Sequence, residues 1–265
     1  MSDPRTIDVH AHFLPPAYRQ ALADAGLKTL DGGMPVPDWS PERALGIMDE
    51  VGIGVAVLSV SAPHVSFLDR AKAVTLCRAV NDAAAEMRRR HAGRFGAFAI
   101  LPLPDVASSL AELERALDQL ELDGVALPTH AEGRYLGDAR LAPLLERLDE
   151  RAATVFIHPT SPCCFEAFGL ELPAPMIEFP FDTTRTTLSL LYSGALTRHP
   201  RIDFILPHAG GTLPFLAPRI AAIGSTPVLG ARAVALPFTP EERAMVRHGN
   251  AWRLFKGFNP NWPAR

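Results

Sequence analysis

Residues 54–61 read G-V-A-V-L-S-V-S, an apolar run with no polar alternation. A strand with one wet face alternates apolar and polar side chains, so this stretch is expected to be buried on both faces. That is the situation of a strand in a parallel sheet covered by helices. The flanks agree. Upstream, Ser40-Pro41-Glu42 opens a helix, with Ser40 as N-cap and Pro41 at the first helical position, running to about Val51. Downstream, a helix over 69–91 ends in Arg88-Arg89-Arg90, charges suited to a helix C-terminus.

The same unit recurs outward in both directions. Before it stand a strand over 7–13, a short helix over 17–25 and a Gly- and Pro-rich loop over 26–39. After it come strand 95–101 with helix 106–120, strand 124–129 with helix 141–151, and strand 154–158. A long irregular loop then reaches Phe181, followed by a helix to about Arg198, strand 203–208 and helix 213–223. Strands alternating with helices predict a parallel α/β sheet. Six units with no dinucleotide-type glycine fingerprint favour a TIM-like (β/α) barrel, here with about six clear βα units and therefore incomplete. No linker-like stretch divides the chain, so a single domain over 1–265 is expected.

Composition limits the function classes. Of the 265 residues 48% are hydrophobic and 21% charged, which suits a globular protein with a sizeable core. Lys+Arg 26 against Asp+Glu 29 gives −3, which argues against nucleic-acid or anionic-membrane partners. Three cysteines make no disulfide framework, and no apolar run approaches membrane-spanning length; a cytoplasmic protein is expected.

In a barrel the C-terminal ends of strands carry the chemistry. Residues 7–13, I-D-V-H-A-H-F, put two imidazoles at i and i+2, and alternation places Asp8, His10 and His12 on one face. His158 (V-F-I-H-P-T) and His208 (F-I-L-P-H-A-G-G) each close an apolar run, where an unpartnered histidine is costly. Four histidines at strand ends of one barrel point to metal binding. His64 and His130 stand in the corresponding loops with no partner evident in the sequence.

With these segments in hand, D-V-H-A-H-F, F-I-H-P-T, E-F-P-F-D-T-T-R and P-H-A-G-G-T-L-P resemble the amidohydrolase superfamily, in its branch of metal-dependent non-oxidative decarboxylases. Within that branch, D-G-G-M-P-V-P-D-W-S and L-P-L-P-D-V are similar to the decarboxylases of 6-methylsalicylate. The resemblance implies that His10, His12 and His158 hold a divalent metal, zinc or alternatively manganese, and that His208 handles protons. It implies a small aromatic acid as substrate and makes a homodimer plausible. Arg185 has two readings, a bidentate partner for a carboxylate or a surface helix residue. Trp39 and Phe181 likewise either line an aromatic pocket or pack.

The sequence departs from the resemblance at one place. The family's further ligand, an aspartate in G-S-D-x-P, has no counterpart, since no aspartate follows Asp203. From Ile223 the chain runs directly towards Thr239-Pro240-Glu241, the start of an expected last helix, with 228–236 as one makeshift strand. About two βα units are missing. Three readings therefore stand together: an active decarboxylase, a metal-dependent hydrolase of the same superfamily, and an internally deleted, catalytically impaired relative.

Overall fold

The computed structural model describes residues 6–168 and 172–224. Six parallel strands form one sheet in the order β1-β2-β3-β4-β7-β8: β1 (Ile7–His12), β2 (Val55–Ser59), β3 (Phe95–Ile100), β4 (Gly124–Pro128), β7 (Thr154–His158) and β8 (Asp203–Ile205). A two-residue antiparallel hairpin, β5 (His130–Ala131) and β6 (Arg134–Tyr135), projects from the end of β4. The helices are α1 (Pro16–Asp24), α2 (Pro41–Val51), α3 (Arg70–Arg90), α4 (Val106–Glu114), α5 (Ala142–Glu150), α6 (Ala174–Tyr192), α7 (Ala195–Arg198) and α8 (Leu213–Gly224).

Capping explains where several helices begin. Ser40, Asp69 and Asp105 each accept a hydrogen bond from a backbone N–H of the first turn, at Arg43, Lys72 and Ser108. α2 stops at Gly52, whose φ of +77° is the left-handed C-cap that glycine adopts without strain.

The strands are buried on two sides by alternate residues. Leu58, Ala97, Val125, Leu127, Val155 and Ile157 pack under the helices, against Leu76, Val80, Leu113, Leu144 and Leu148. Phe98, Ala126 and Phe156 form a separate inner layer with Val57 and Ile205. The inner layer shows that the sheet curls. Strands β1 and β7 are four positions apart, roughly 19 Å in a flat sheet at about 4.8 Å per strand, yet the rings of His10 and Phe156 lie 5.0 Å apart. The curl is that of an open barrel, with β1 and β8 as its edges among the described residues. No helix among them is long and apolar enough to cross a membrane.

Three expectations need correction. The helix expected from Phe181 begins at Ala174, because Pro173 and Pro175 fit a helix start and not an irregular loop. Pro180 lies inside it, and Phe181 is therefore a mid-helix residue, 42% exposed. Gly194, with φ +76°, separates α6 from α7. The strand expected over 203–208 ends at Ile205, since β8 pairs only with β7 and Pro207 cannot donate to a ladder. The strand expected over 228–236 and the helix from Thr239 lie outside the described residues.

Candidate metal centre

β1 carries a bulge. Asp8 pairs with Ala56 and Ala11 with Leu58, so Val9 and His10 together oppose the single residue Val57. The extra residue breaks the alternation expected for 7–13. Asp8 falls opposite Ala56, a residue of the helix-side core, and its carboxylate accepts the backbone N–H of His10 at 2.9 Å. His10 and His12 keep the inner side, where the curl brings them to β7.

The structure gathers His10, His12 and His158, whose candidate ligand nitrogens all lie within 4.8 Å of one another. His12 Nε2 is 3.1 Å from His10 Nε2 and 3.2 Å from His158 Nε2. The outer nitrogen of His158 sets its tautomer. A carbonyl oxygen can only accept, so His158 Nδ1 carries the hydrogen it donates to the Pro159 carbonyl at 2.8 Å. His12 Nδ1 has two neighbours on one residue, the Ser59 hydroxyl at 3.3 Å and the Ser59 carbonyl at 3.4 Å. The Nε2 of His158 is then a bare lone pair aimed at the ring of His12, where a cation can be held. Two ligands about 2.0–2.1 Å from a tetrahedral zinc stand about 3.3 Å apart, so the donor set fits a divalent metal. The Pro159 carbonyl fixes the ring orientation of His158 as outer partners of metal-bound histidines do.

Protonation favours the same state. Burial, reinforced by the neighbouring His12 and His208, lowers the pKa of His10 to about 3. Burial also lowers His12, partly opposed by the Ser59 carbonyl and Asp8, and lowers His158 well below its ordinary value, helped by the surrounding imidazoles. All three are neutral at pH 7, the form that binds metal.

The other expected residues are placed as follows. His208 lies beyond β8 in a tight turn with φ +51°, exposed, with its ring 5.1 Å from that of His10 and its pKa lowered by partial burial. Trp39 packs edge-on to Phe13 at 6.0 Å and lines a cavity of about 540 Å³ together with His12 and Asp8. Arg185 Nη1 faces two carboxylates of its own helix, Asp182 at 3.4 Å and Glu178 at 3.9 Å, and its side chain is 41% exposed. Phe181 is exposed on α6 and is not brought to the histidines by any contact described.

His64 gains from the fold. It is buried, its ring 5.5 Å from that of His158, with a left-handed φ of +53° and its carbonyl accepting from Tyr18 Oη at 2.7 Å. Its Nε2 has no hydrogen-bond partner among the described residues, and burial with nearby His12 lowers its pKa to about 3. His130 is instead committed to structure, donating from Nε2 to the Ser161 carbonyl at 3.1 Å and accepting Gly133 N–H at Nδ1. Sequence reasoning missed Asp182 altogether. This fully buried acid accepts from Thr129 Oγ1 and from Tyr135 Oη at 2.6 Å. The signal was its place one turn before Arg185 in a helix segment with few other charges.

Comparison with known proteins agrees with the fold. A family model described as amidohydrolase matches residues 7–230. The chain is 41% identical over 226 residues to decarboxylase yanB of Aspergillus niger, covering 81% of this chain and 61% of that protein. It is 42% identical over 221 residues to a 6-methylsalicylic acid decarboxylase of Penicillium expansum, covering 82% and 68%. A solved structure titled amidohydrolase II superposes with a TM-score of 0.79 at 34% identity, over 83% of this chain and 72% of that one. The chain thus spans roughly two thirds of the length of these curated relatives.

Proposed function

The chain belongs to the amidohydrolase family, and on that premise we propose that it is a metal-dependent carboxy-lyase. Its reaction is the non-oxidative decarboxylation of a small hydroxybenzoate-type acid resembling 6-methylsalicylate. One observation carries the reading: the candidate ligand nitrogens of His10, His12 and His158, on β1 and β7, lie within 4.8 Å of one another at the C-terminal ends of a curled parallel sheet. The decarboxylases among its relatives support that reaction class.

In this reading His10, His12 and His158 hold a divalent ion, zinc, with manganese as the alternative; imidazole donors suit zinc. Bound there, such an ion supplies a Lewis acid for the carboxylate and adjacent phenol oxygens of the substrate. The protein's part is orientation and proton handling. His208, neutral at pH 7 and beside His10, would be the proton carrier: it takes up a proton from solvent and, as imidazolium, passes it to the ring carbon that carries the carboxylate, which leaves as carbon dioxide. The resemblance offers Trp39, Phe181 and Arg185 for the substrate's ring and carboxylate; the cavity that Trp39 lines lies on the helix side of the sheet, among Ala56, Leu58 and Met48. The three cysteines, all free, fit a reducing cytoplasm, and pairing of exposed sheet edges favours a homodimer.

A second reading rests on the missing acid. Three histidines are also the ligand set of a hydrolytic site, and with no aspartate after Asp203 the chain has no obvious substitute for the fourth ligand. Incubation of the metal-loaded protein with 6-methylsalicylate and with a panel of lactones and esters separates the readings. Carbon dioxide and m-cresol in equal amounts support decarboxylation. Acid release from a lactone replaces it with hydrolysis, and no turnover with full metal occupancy identifies an impaired relative.

A further inference from the structure

Asp182 is buried and ionisable, lies outside the histidine cluster, and reaches it through a chain of directed hydrogen bonds. Thr129 Oγ1 donates to one carboxylate oxygen of Asp182 and Tyr135 Oη donates to the other. That gives the Thr129 hydroxyl a direction. Its lone pairs are left to receive Thr160 N–H at 3.1 Å, with Thr160 Oγ1 3.2 Å away. Thr129 N–H meanwhile donates to the carbonyl of His158 at 2.9 Å.

The geometry of the peptide unit completes the connection. Thr160 N–H and Pro159 C=O belong to one peptide plane and are locked rigidly to each other. Holding the N–H on Thr129 therefore sets the direction of the carbonyl, which receives His158 Nδ1–H at 2.8 Å. Asp31 Oδ2 secures the next N–H, Ser161, at 2.7 Å, and His130 the Ser161 carbonyl, so the strap has few alternative settings. Without a directed Thr129 hydroxyl the Thr160 end of that plane loses its anchor, and the tautomer and aim of the His158 ring are held less firmly.

We propose that Asp182 is a positioning residue for the metal centre: through Thr129 Oγ1 it fixes the Pro159–Thr160 peptide, and with it the tautomer and ring orientation of His158. The proposal rests on the reading of His158 as a metal ligand. It adds a buried acid on α6 to the residues that set metal affinity.

The test measures zinc dissociation constants of the full chain by chelator competition, together with the visible spectrum of the cobalt-loaded protein. Outer partners of metal-bound histidines change affinity by about 10- to 100-fold. Thr129→Val and Asp182→Asn are expected to weaken zinc binding by that factor and to alter the cobalt spectrum. Thr129→Ser, which keeps the hydroxyl, restores both. Leu144→Ala serves as a control for stability loss alone, with zinc affinity unchanged. Wild-type affinity and spectrum in Thr129→Val and Asp182→Asn, while His158→Ala loses zinc, overturn the proposal. If His158→Ala itself binds zinc normally, the ligand assignment fails instead. If neither Thr129→Val nor Asp182→Asn folds, the network serves the whole fold and the proposal also falls.

Discussion

Strands β7 and β8 are neighbours in one sheet, each ending near a histidine, and they differ in almost everything else. β7 is five residues long, paired on both sides, and buried from Val155 to His158. β8 is three residues long, paired on one side among the described residues, and begins exposed. The helix before β7, α5, buries Leu144, Leu145 and Leu148. The helix after β8, α8, leaves Phe215 87% exposed and buries only its terminal Gly224 among its residues. The outcome at the centre follows. His158 has a hydrogen-bonded outer nitrogen and a fixed ring, whereas His208 sits in a left-handed turn and is exposed. A strand flanked on both sides holds a side chain in place, and an edge strand delivers one with much less constraint.

That contrast is best broken where the effect is largest. His158→Ala, and equally His12→Ala, is expected to reduce bound zinc from one ion per chain to a trace in elemental analysis; undiminished zinc would remove both from the ligand set. His208→Ala should keep its zinc while turnover of the aromatic acid falls by about 10²–10⁴-fold, the usual contribution of a proton-transferring group. If zinc is lost as well, the two histidines belong to one ligand set, and the distinction between them goes.

Stability offers a second pair of measurements. Leu144→Ala, beneath the paired strands, should cost about 2–5 kcal/mol in denaturant unfolding. Phe215→Ala, beside the edge strand, should stay within about 0.5 kcal/mol. A large loss from Phe215→Ala would show that α8 is packed against something in the working protein.

Stability is also expected to depend on pH. For His10 and His64 the folded pKa, about 3, is below the unfolded 6.5. The unfolded chain therefore binds more protons between those values, and stability falls as the pH drops below 6.5. At pH 5 each such histidine removes roughly 2 kcal/mol from the metal-free protein. A melting temperature flat from pH 7 to 5 would contradict burial of these imidazoles in the neutral form.

Local chemistry accounts for what could be read from the chain. The doubly buried runs 55–59 and 154–158, the caps at Ser40 and Asp69 and the glycine stop at Gly52 depend on neighbours a few residues away. The strand–helix alternation, the incomplete barrel and the shortlist of His10, His12, His158 and His208 therefore stood in the sequence itself. Pro180 misled, because a proline nearly two turns into a helix and a proline in a loop look alike without the packing of Phe179 and Asp182 around it.

Tertiary structure decided the rest, since it depends on contacts between distant segments. The bulge that turns Asp8 away from the histidines is a matter of register with β2, and Asp8 gives no sign of it. The curl that brings His12 within 3.2 Å of His158, 146 residues later, is a sum of small twists over five strands. The tautomer of His158 depends on the Pro159 carbonyl, which carries no side-chain signature. A sequence can nominate ligands by type and position, but which nitrogen is bare, and what it faces, is settled only when the backbone closes around it.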